Sequence, residues 1–283
     1  MGNTVRKTNE VKIKNTRKSK SPSPIKIDVV QEFGSHVTKK GNQYELICTG
    51  QESTKFTIKQ DILLDKLIGC DTMTGKEILN KIIKIADRLN KNIELTDTSY
   101  KKFETCTYSL YHFHILLDGE SWYNKFGFKS RTHEQDKRHN EKMRNLPLYE
   151  FIQMAKDAYI TKELRELDMD CAVMEQRPSL YKELEVFTVD EFKEAKTKEI
   201  METEFFDMDF ITEFGLDENA KVSSVMLDIF NYIKENSTCN RKIQLLKQFI
   251  DISRYVLKYN KHLIRKPNTH GTQRKHFVSG NYV

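Results

Sequence analysis

The chain predicts an α+β protein: a mixed central sheet flanked by helices in its first half, followed by an all-α C-terminal region. Three observations carry that class. Short runs rich in β-branched and aromatic residues, divided by Gly41-Asn42 and Gly50-Gln51 turn signals, fill residues 25–59. A capped amphipathic helix and an alternating strand then follow one another between Thr74 and Asp97. Beyond Pro147 the apolar residues recur with a helical period.

Composition narrows the class further. The 283 residues are enough to bury a sizeable core, and a hydrophobic share of 38% beside 31% charged residues is that of a water-exposed globular chain. No apolar run reaches the roughly 18 to 20 residues of a membrane span, and no apolar block follows the N-terminus as a signal peptide requires. The expectation is an intracellular protein without a membrane span. Five cysteines (Cys48, Cys70, Cys106, Cys171, Cys239) are widely spread and form no Cys-x-x-Cys pair, so reduced thiols and no metal site are expected.

Charge is unevenly placed. Residues 1–26 hold eight Lys/Arg against one Glu, and residues 258–283 hold six Lys/Arg and no acid. With a total of +6, the body between them is mildly acidic. The basic ends suit contact with nucleic acid through counterion release, or serve as solubilising tails.

In chain order, residues 1–24 lack apolar periodicity, carry Ser21-Pro22-Ser23-Pro24 and read as a disordered basic arm. Ile25–Phe33, Gln43–Thr49 and Lys55–Lys59 read as two or three antiparallel strands, and Ile62–Ile68 as a buried strand or a helical turn. Thr74-Gly75-Lys76-Glu77 is a capping box, and behind it Ile78, Leu79, Ile82, Ile83, Ile85, Ala86 and Leu89 make one apolar helix face. Asn92–Asp97 alternates as a strand.

The loop Gly69–Lys76 has two readings. In one, the helix start is an anion site, with free amides and the helix dipole receiving phosphate oxygens, Gly75 permitting close approach and Lys76 adding charge. In the other it is an ordinary cap, its amides already satisfied by Thr74 and Glu77.

Tyr100–Leu117 follows as an insert in which Tyr108, Tyr111, Phe113, Ile115 and Leu117 alternate like a further strand. His112 and His114 would share a face of that strand, with no third ligand in view. A short helical turn, Trp122-Tyr123-Asn124-Lys125-Phe126, closes at Gly127 and runs into Phe128. Arg131–Arg144 is polar and of mixed charge, a solvated helix or linker. Helices are expected over Leu148–Leu167, Thr188–Phe214, Val222–Glu235 and Asn240–Leu263, and the end is basic and turn-rich. The domain layout is therefore a basic arm (1–24), an α/β domain (25–145), a helical domain (146–265) and a basic disordered tail (266–283).

The succession of strand, Thr74-Gly75-Lys76 helix, strand Ile93–Thr96 and Tyr123-Asn124-Lys125-Phe126-Gly127-Phe128 resembles the GCN5-related N-acetyltransferases, whose last helix ends in Tyr-x-x-x-Gly-Phe. Gly119-Glu120-Ser121-Trp122-Tyr123-Asn124, with Asp97-Thr98-Ser99 upstream, is similar to acetyltransferase-like proteins encoded by giant DNA viruses. The likeness covers roughly Ile25 to Ser130.

The resemblance implies acetyl-coenzyme A as co-substrate, lying between two splayed strands. Main-chain groups of Leu67 and Ile68 would polarise the thioester carbonyl, while Thr72, Met73, Thr74, Gly75 and Lys76 would hold the pyrophosphate. Tyr123 would protonate the departing thiolate, with Asp97 and Glu94 as candidate bases. The phosphate loop departs from the family pattern: Cys70-Asp71-Thr72-Met73-Thr74-Gly75 lacks its first basic residue and its middle glycine. The expected function is transfer of an acetyl group to an amine acceptor, protein or small molecule, or a degenerate descendant of that activity. The alternative is a non-enzymatic binding or virion-associated protein that keeps the fold and contacts nucleic acid or other proteins through its basic ends.

Overall fold

The computed structural model describes residues 29–34, 37–47, 53–69, 72–103, 105–176, 188–203, 205, 207–236 and 238–268. The arms at 1–24 and 269–283, and the cysteines at 48 and 70, lie outside them. The α+β class is the one observed: a six-stranded mixed sheet with helices against it, then a run of helices.

After a short helix α1 (Val29–Phe33) come β1 (Val37–Lys40), β2 (Gln43–Leu46), β3 (Thr54–Ile58) and β4 (Ile62–Lys66), an antiparallel meander. Helix α2 (Gly75–Leu89) then crosses over to β5 (Ile93–Thr96), which pairs parallel to β4. The capping box is formed, Thr74 Oγ1 accepting from the Glu77 amide at 3.3 Å and Glu77 Oε2 from the Thr74 amide at 2.7 Å. Ile78, Leu79, Ile82, Ile85 and Ala86 are buried on the sheet side, each large one worth roughly 1.5–3 kcal/mol against exposure. Asn90 ends the helix in the left-handed conformation at φ 52°, which Asn tolerates better than other side chains.

Ile25–Phe33 is not a strand where it is described. Val29 and Phe33 stand four residues apart, on one face of α1, and both are buried in the sheet core. From the same short helix the Glu32 carbonyl accepts from Lys81 Nζ at 2.8 Å.

A hairpin, β6 (Tyr100–Phe103) and β7 (Cys106–Ser109), leads into α3 (Leu110–Asp118). The expected strand over Tyr108–Leu117 is therefore a hairpin arm and a helix. Its alternation is only half of the pattern, because every residue from Tyr111 to Leu117 is buried, and a helix enclosed on all sides offers any period. Ser109 Oγ accepts from the His112 amide and starts the helix. His112 and His114 consequently point about 200° apart, His112 towards Ser109 and His114 towards Asp118.

The 3-10 turn Trp122–Phe126 precedes α4 (His133–Arg144), α5 (Leu148–Gln176), α6 (Val189–Met201), α7 (Asp207–Phe214), α8 (Val222–Glu235) and α9 (Arg241–Ser253). The single helix expected over Thr188–Phe214 is two. The last expected helix stops at Ser253, and His262–Arg265 is instead a strand, β8, antiparallel to β5. Leu263 is buried from that strand in the sheet core. Lys129 adds a further bridge by exchanging both backbone hydrogen bonds with Ile264, at 2.9 and 3.0 Å. The segment from α4 to α9 is thus an excursion between two neighbours of one sheet.

Two cores result. Phe56, Ile62, Leu64, Ile93, Leu95 and Phe128 join α1 and α2 in the first. Phe103, Tyr108 and the apolar side chains of α3 belong with α5, α7, α8 and α9 in the second. Cys106 and Cys239 are joined as a disulfide with Cα atoms 5.8 Å apart, which corrects the expectation of reduced thiols at those two positions. Sequence spacing had no means of showing that β7 and the start of α9 meet.

Candidate functional site

The parallel strands β4 and β5 are the local frame. They pair over Ile62–Ile93, Leu63–Glu94 and Leu64–Leu95 only. Beyond that point β4 follows β3, with Lys66 opposite Lys55 and Asp65 as an extra, bulged residue, a device that bends a strand away from its line. Strand β5 follows β8, with Thr96 opposite His262 and the Asp97 amide donating to Lys261 O at 2.8 Å. The two carboxyl ends therefore part, the usual place for a ligand in a sheet of this kind.

On the β4 side, the Thr54 hydroxyl is fully buried and both accepts from the Ile68 amide and donates to the Ile68 carbonyl, each at 2.8 Å. The main chain of Ile68 is thereby engaged, while Leu67 lies half-buried against the sheet core. Thr54→Val should unpair that amide and cost about 1–3 kcal/mol, measured by chemical denaturation; an unchanged midpoint would show the amide is satisfied by other means.

Thr72, Thr74 and Lys76 are exposed at the start of α2, with Met73 and Gly75 half-buried between them. The Gly75 and Lys76 amides donate to no acceptor among the described residues. Glu77 stays ionised below the ordinary carboxylate range, held there first by the Thr74 amide and then by its hydroxyl. Within the protein itself the tight backbone approach is at Gly69: a Cβ there would stand 3.1 Å from the Gly75 nitrogen, whereas one at Gly75 would meet nothing closer than 3.8 Å. Both glycines flank one loop in the sequence, and which backbone backs onto the other is decided by tertiary packing.

On the β5 side lies the aromatic turn. Asn124 organises it, its Oδ1 accepting from the Ser121 amide and its Nδ2 donating to Phe128 O, both at 2.7 Å. Gly127 closes it at φ 85°. Tyr123 is half-buried, edge-on to Trp122 and Phe128 with centroids 5.0 and 5.8 Å away. Burial, and then the charge of Asp97, push its phenol well above the ordinary tyrosine range. It is protonated at neutral pH, the state a donor needs.

Asp97, one of the two candidate bases, lies near enough to this turn for its charge to act on Tyr123. It is 1% exposed, and its Oδ1 accepts from the Ser99 amide at 3.1 Å and the Ser99 hydroxyl at 2.6 Å. Burial raises its pKa, opposed by Ser99, by the nearby Ser121 hydroxyl and by His114. Although Ser121 lies close enough to favour the charged form, neither its Oγ nor Asp97 Oδ2 completes a hydrogen bond among the described residues. Tyr111 also feels the Asp97 charge. Glu94, the other candidate base, pairs with the exposed Leu63 on the opposite sheet face. The structure so brings Asp97, Tyr111, Ser121 and Tyr123 together and leaves Glu94 apart.

Beside the turn, Ser121, Asn124, His133 and Tyr259 line a cavity of about 20 Å³, room for a water and not for a coenzyme. Among the described residues no three His, Cys, Asp or Glu side chains gather as a metal site, and no helix is long and apolar enough to cross a membrane. Comparison of the chain with protein-family models, with curated proteins and with solved structures finds no match in any of the three.

Proposed function

We propose that the chain is an N-acetyltransferase of the GCN5-related kind, or a descendant of one, using acetyl-coenzyme A and an amine acceptor. The observation that carries this reading is the parting of β4 and β5 after three residue pairs, with the α2 start following one strand and the Asp97–Tyr123 cluster following the other. The Gly75 and Lys76 amides, which donate to no acceptor among the described residues, suit pyrophosphate oxygens. The amine nitrogen would attack the thioester carbonyl and give up its proton to Asp97 or to solvent, the C–N bond forming as the C–S bond breaks, with Tyr123 donating to the leaving sulfur. A thiol has an ordinary pKa of about 8.5, below that of this phenol, so Tyr123 acts first as a hydrogen-bond donor and the thiolate is neutralised late.

Titrating acetyl-coenzyme A while following thermal unfolding tests the binding. Ligand at about 100 times its dissociation constant should stabilise by about 2.7 kcal/mol, and no shift at any concentration removes the reading. Where binding is seen, Tyr123→Phe should slow acetyl transfer about 10²- to 10⁴-fold without weakening it.

A second reading is favoured by the Ile68 amide being taken by Thr54 and by Glu77 at the α2 start, where a second anion is unwelcome. It is a non-enzymatic protein that contacts nucleic acid through its basic ends. DNA affinity that falls steeply with salt and weakens on deleting residues 1–26 would support it.

A further inference from the structure

The Cys106–Cys239 bridge lies where two chain paths to the Asp97–Tyr123 cluster begin. From Cys106, β7 runs without a break into α3, whose end at Gly119 leads to the Trp122–Phe126 turn. From Cys239, Asn240 caps α9, accepting from the Ile243 amide at 3.1 Å and donating to Tyr232 Oη at 2.8 Å. Beyond α9 the chain reaches Lys261, whose carbonyl accepts the Asp97 amide, and β8, where Arg265 Nε donates to Phe126 O at 3.2 Å. Both paths thus end on the same few residues. The bridge ties them together at the far end, across a sequence separation of 133.

We propose that Cys106 and Cys239 are a redox-modification site that sets the order of the Tyr123 turn. Both cysteines are half-buried at the margin of the helical core, while Cys171 is buried and unbridged. The step is thiol–disulfide exchange: one cysteine thiolate attacks a disulfide oxidant such as oxidised glutathione and expels one of its thiolates, leaving a mixed disulfide that the second cysteine thiolate attacks, expelling the other. The Cys106–Cys239 S–S bond forms as the oxidant's S–S bond breaks, two electrons pass to the oxidant, and its two departing thiolates take up the two cysteine protons. A dithiol reverses it. The bridged chain holds α3 and the approach to β8 in one arrangement. The dithiol chain keeps the same apolar contacts without the covalent limit on how far they open. The inference rests on backbone paths and not on acetyl transfer, so it stands or falls apart from the proposed activity.

The test has two arms on the full chain, purified without reductant. Peptide mapping under non-reducing conditions should recover Cys106 and Cys239 in one linked species; both as free thiols, even after treatment with oxidised glutathione, overturns the proposal. Amide hydrogen exchange is then compared with and without a dithiol reductant. Exchange at residues 119–128 and 258–265 should accelerate at least about tenfold while β1–β3 hold, and the melting temperature should fall by about 10 °C. Cys106→Ser/Cys239→Ser should reproduce the reduced protein. Unchanged exchange at the turn on reduction, or equal acceleration in β1–β3, overturns it, the latter by making the bridge a general stabiliser.

Discussion

Arg265→Ala should cost about 3–5 kcal/mol of folding stability. The guanidinium is 5% exposed and forms a two-pronged pair with Asp87, Nη1 to Oδ1 at 2.8 Å and Nη2 to Oδ2 at 3.1 Å, while Nε donates to Phe126 O. Asp87 Oδ1 also accepts the Asn268 amide at 3.0 Å. Removing the arginine leaves a partly buried carboxylate and a buried carbonyl without their donor, and that is where the cost arises rather than in the pair's own attraction. Arg265→Met with Asp87→Leu should recover most of the loss, since neither charge is then stranded. Urea denaturation of the single and double variants checks this. A loss below about 1 kcal/mol for Arg265→Ala would put the pair in the class of solvent-screened surface contacts.

Acid should destabilise the protein through His112, by about 3 kcal/mol between neutral pH and about pH 4. In an unfolded chain imidazole takes up its proton near pH 6.5. In the folded chain burial holds His112 to about 4, helped by Lys261 and Arg254 and opposed by Asp251. Between those values the unfolded chain binds more protons, so its share grows as pH falls. The contribution is fully present above about 6.5 and is gone once the folded group also titrates. Asp97 acts in the opposite sense, because its raised pKa lets the folded chain take up a proton first. His112→Asn isolates the effect: it keeps a group that can reach Ser109 Oγ and drops Nε2, which has no partner among the described residues. The two proteins' stability curves should diverge across this window. Parallel curves would show that His112 is not the titrating group.

How much of this was legible depended on how local the cause is. The α2 capping box and the closing Gly127 were readable, because the groups that satisfy each other lie within a turn of one another. Helix α1 was misread because Val29 and Phe33 are apolar and one is β-branched, and only burial against α2 chooses the helical spacing. Leu263 fits the end of the α9 pattern and also a strand, and β5's open edge decides. Arg265 reads as one more charge in a basic tail. Nothing in the chain near it announces Asp87. Of the candidate site, Tyr123 and Asp97 were visible as residue types suited to proton transfer. The Thr54 hydroxyl that engages Ile68 was not, since the two meet only across the β3–β4 pair.

The place of β8 fixes an order of assembly. Strand β5 can be laid beside β4 as soon as α2 has formed, because its contacts are local in sequence. Its other edge has no partner until His262–Arg265 has been made, with all of α4 to α9 in between. On a ribosome that edge is an open template for most of the time the chain is being synthesised. Closing it is a late, long-range event of the kind that slows folding. A chain truncated before His262 would keep its helices and still present an unfinished sheet, which makes the last strand the step that separates folding from aggregation.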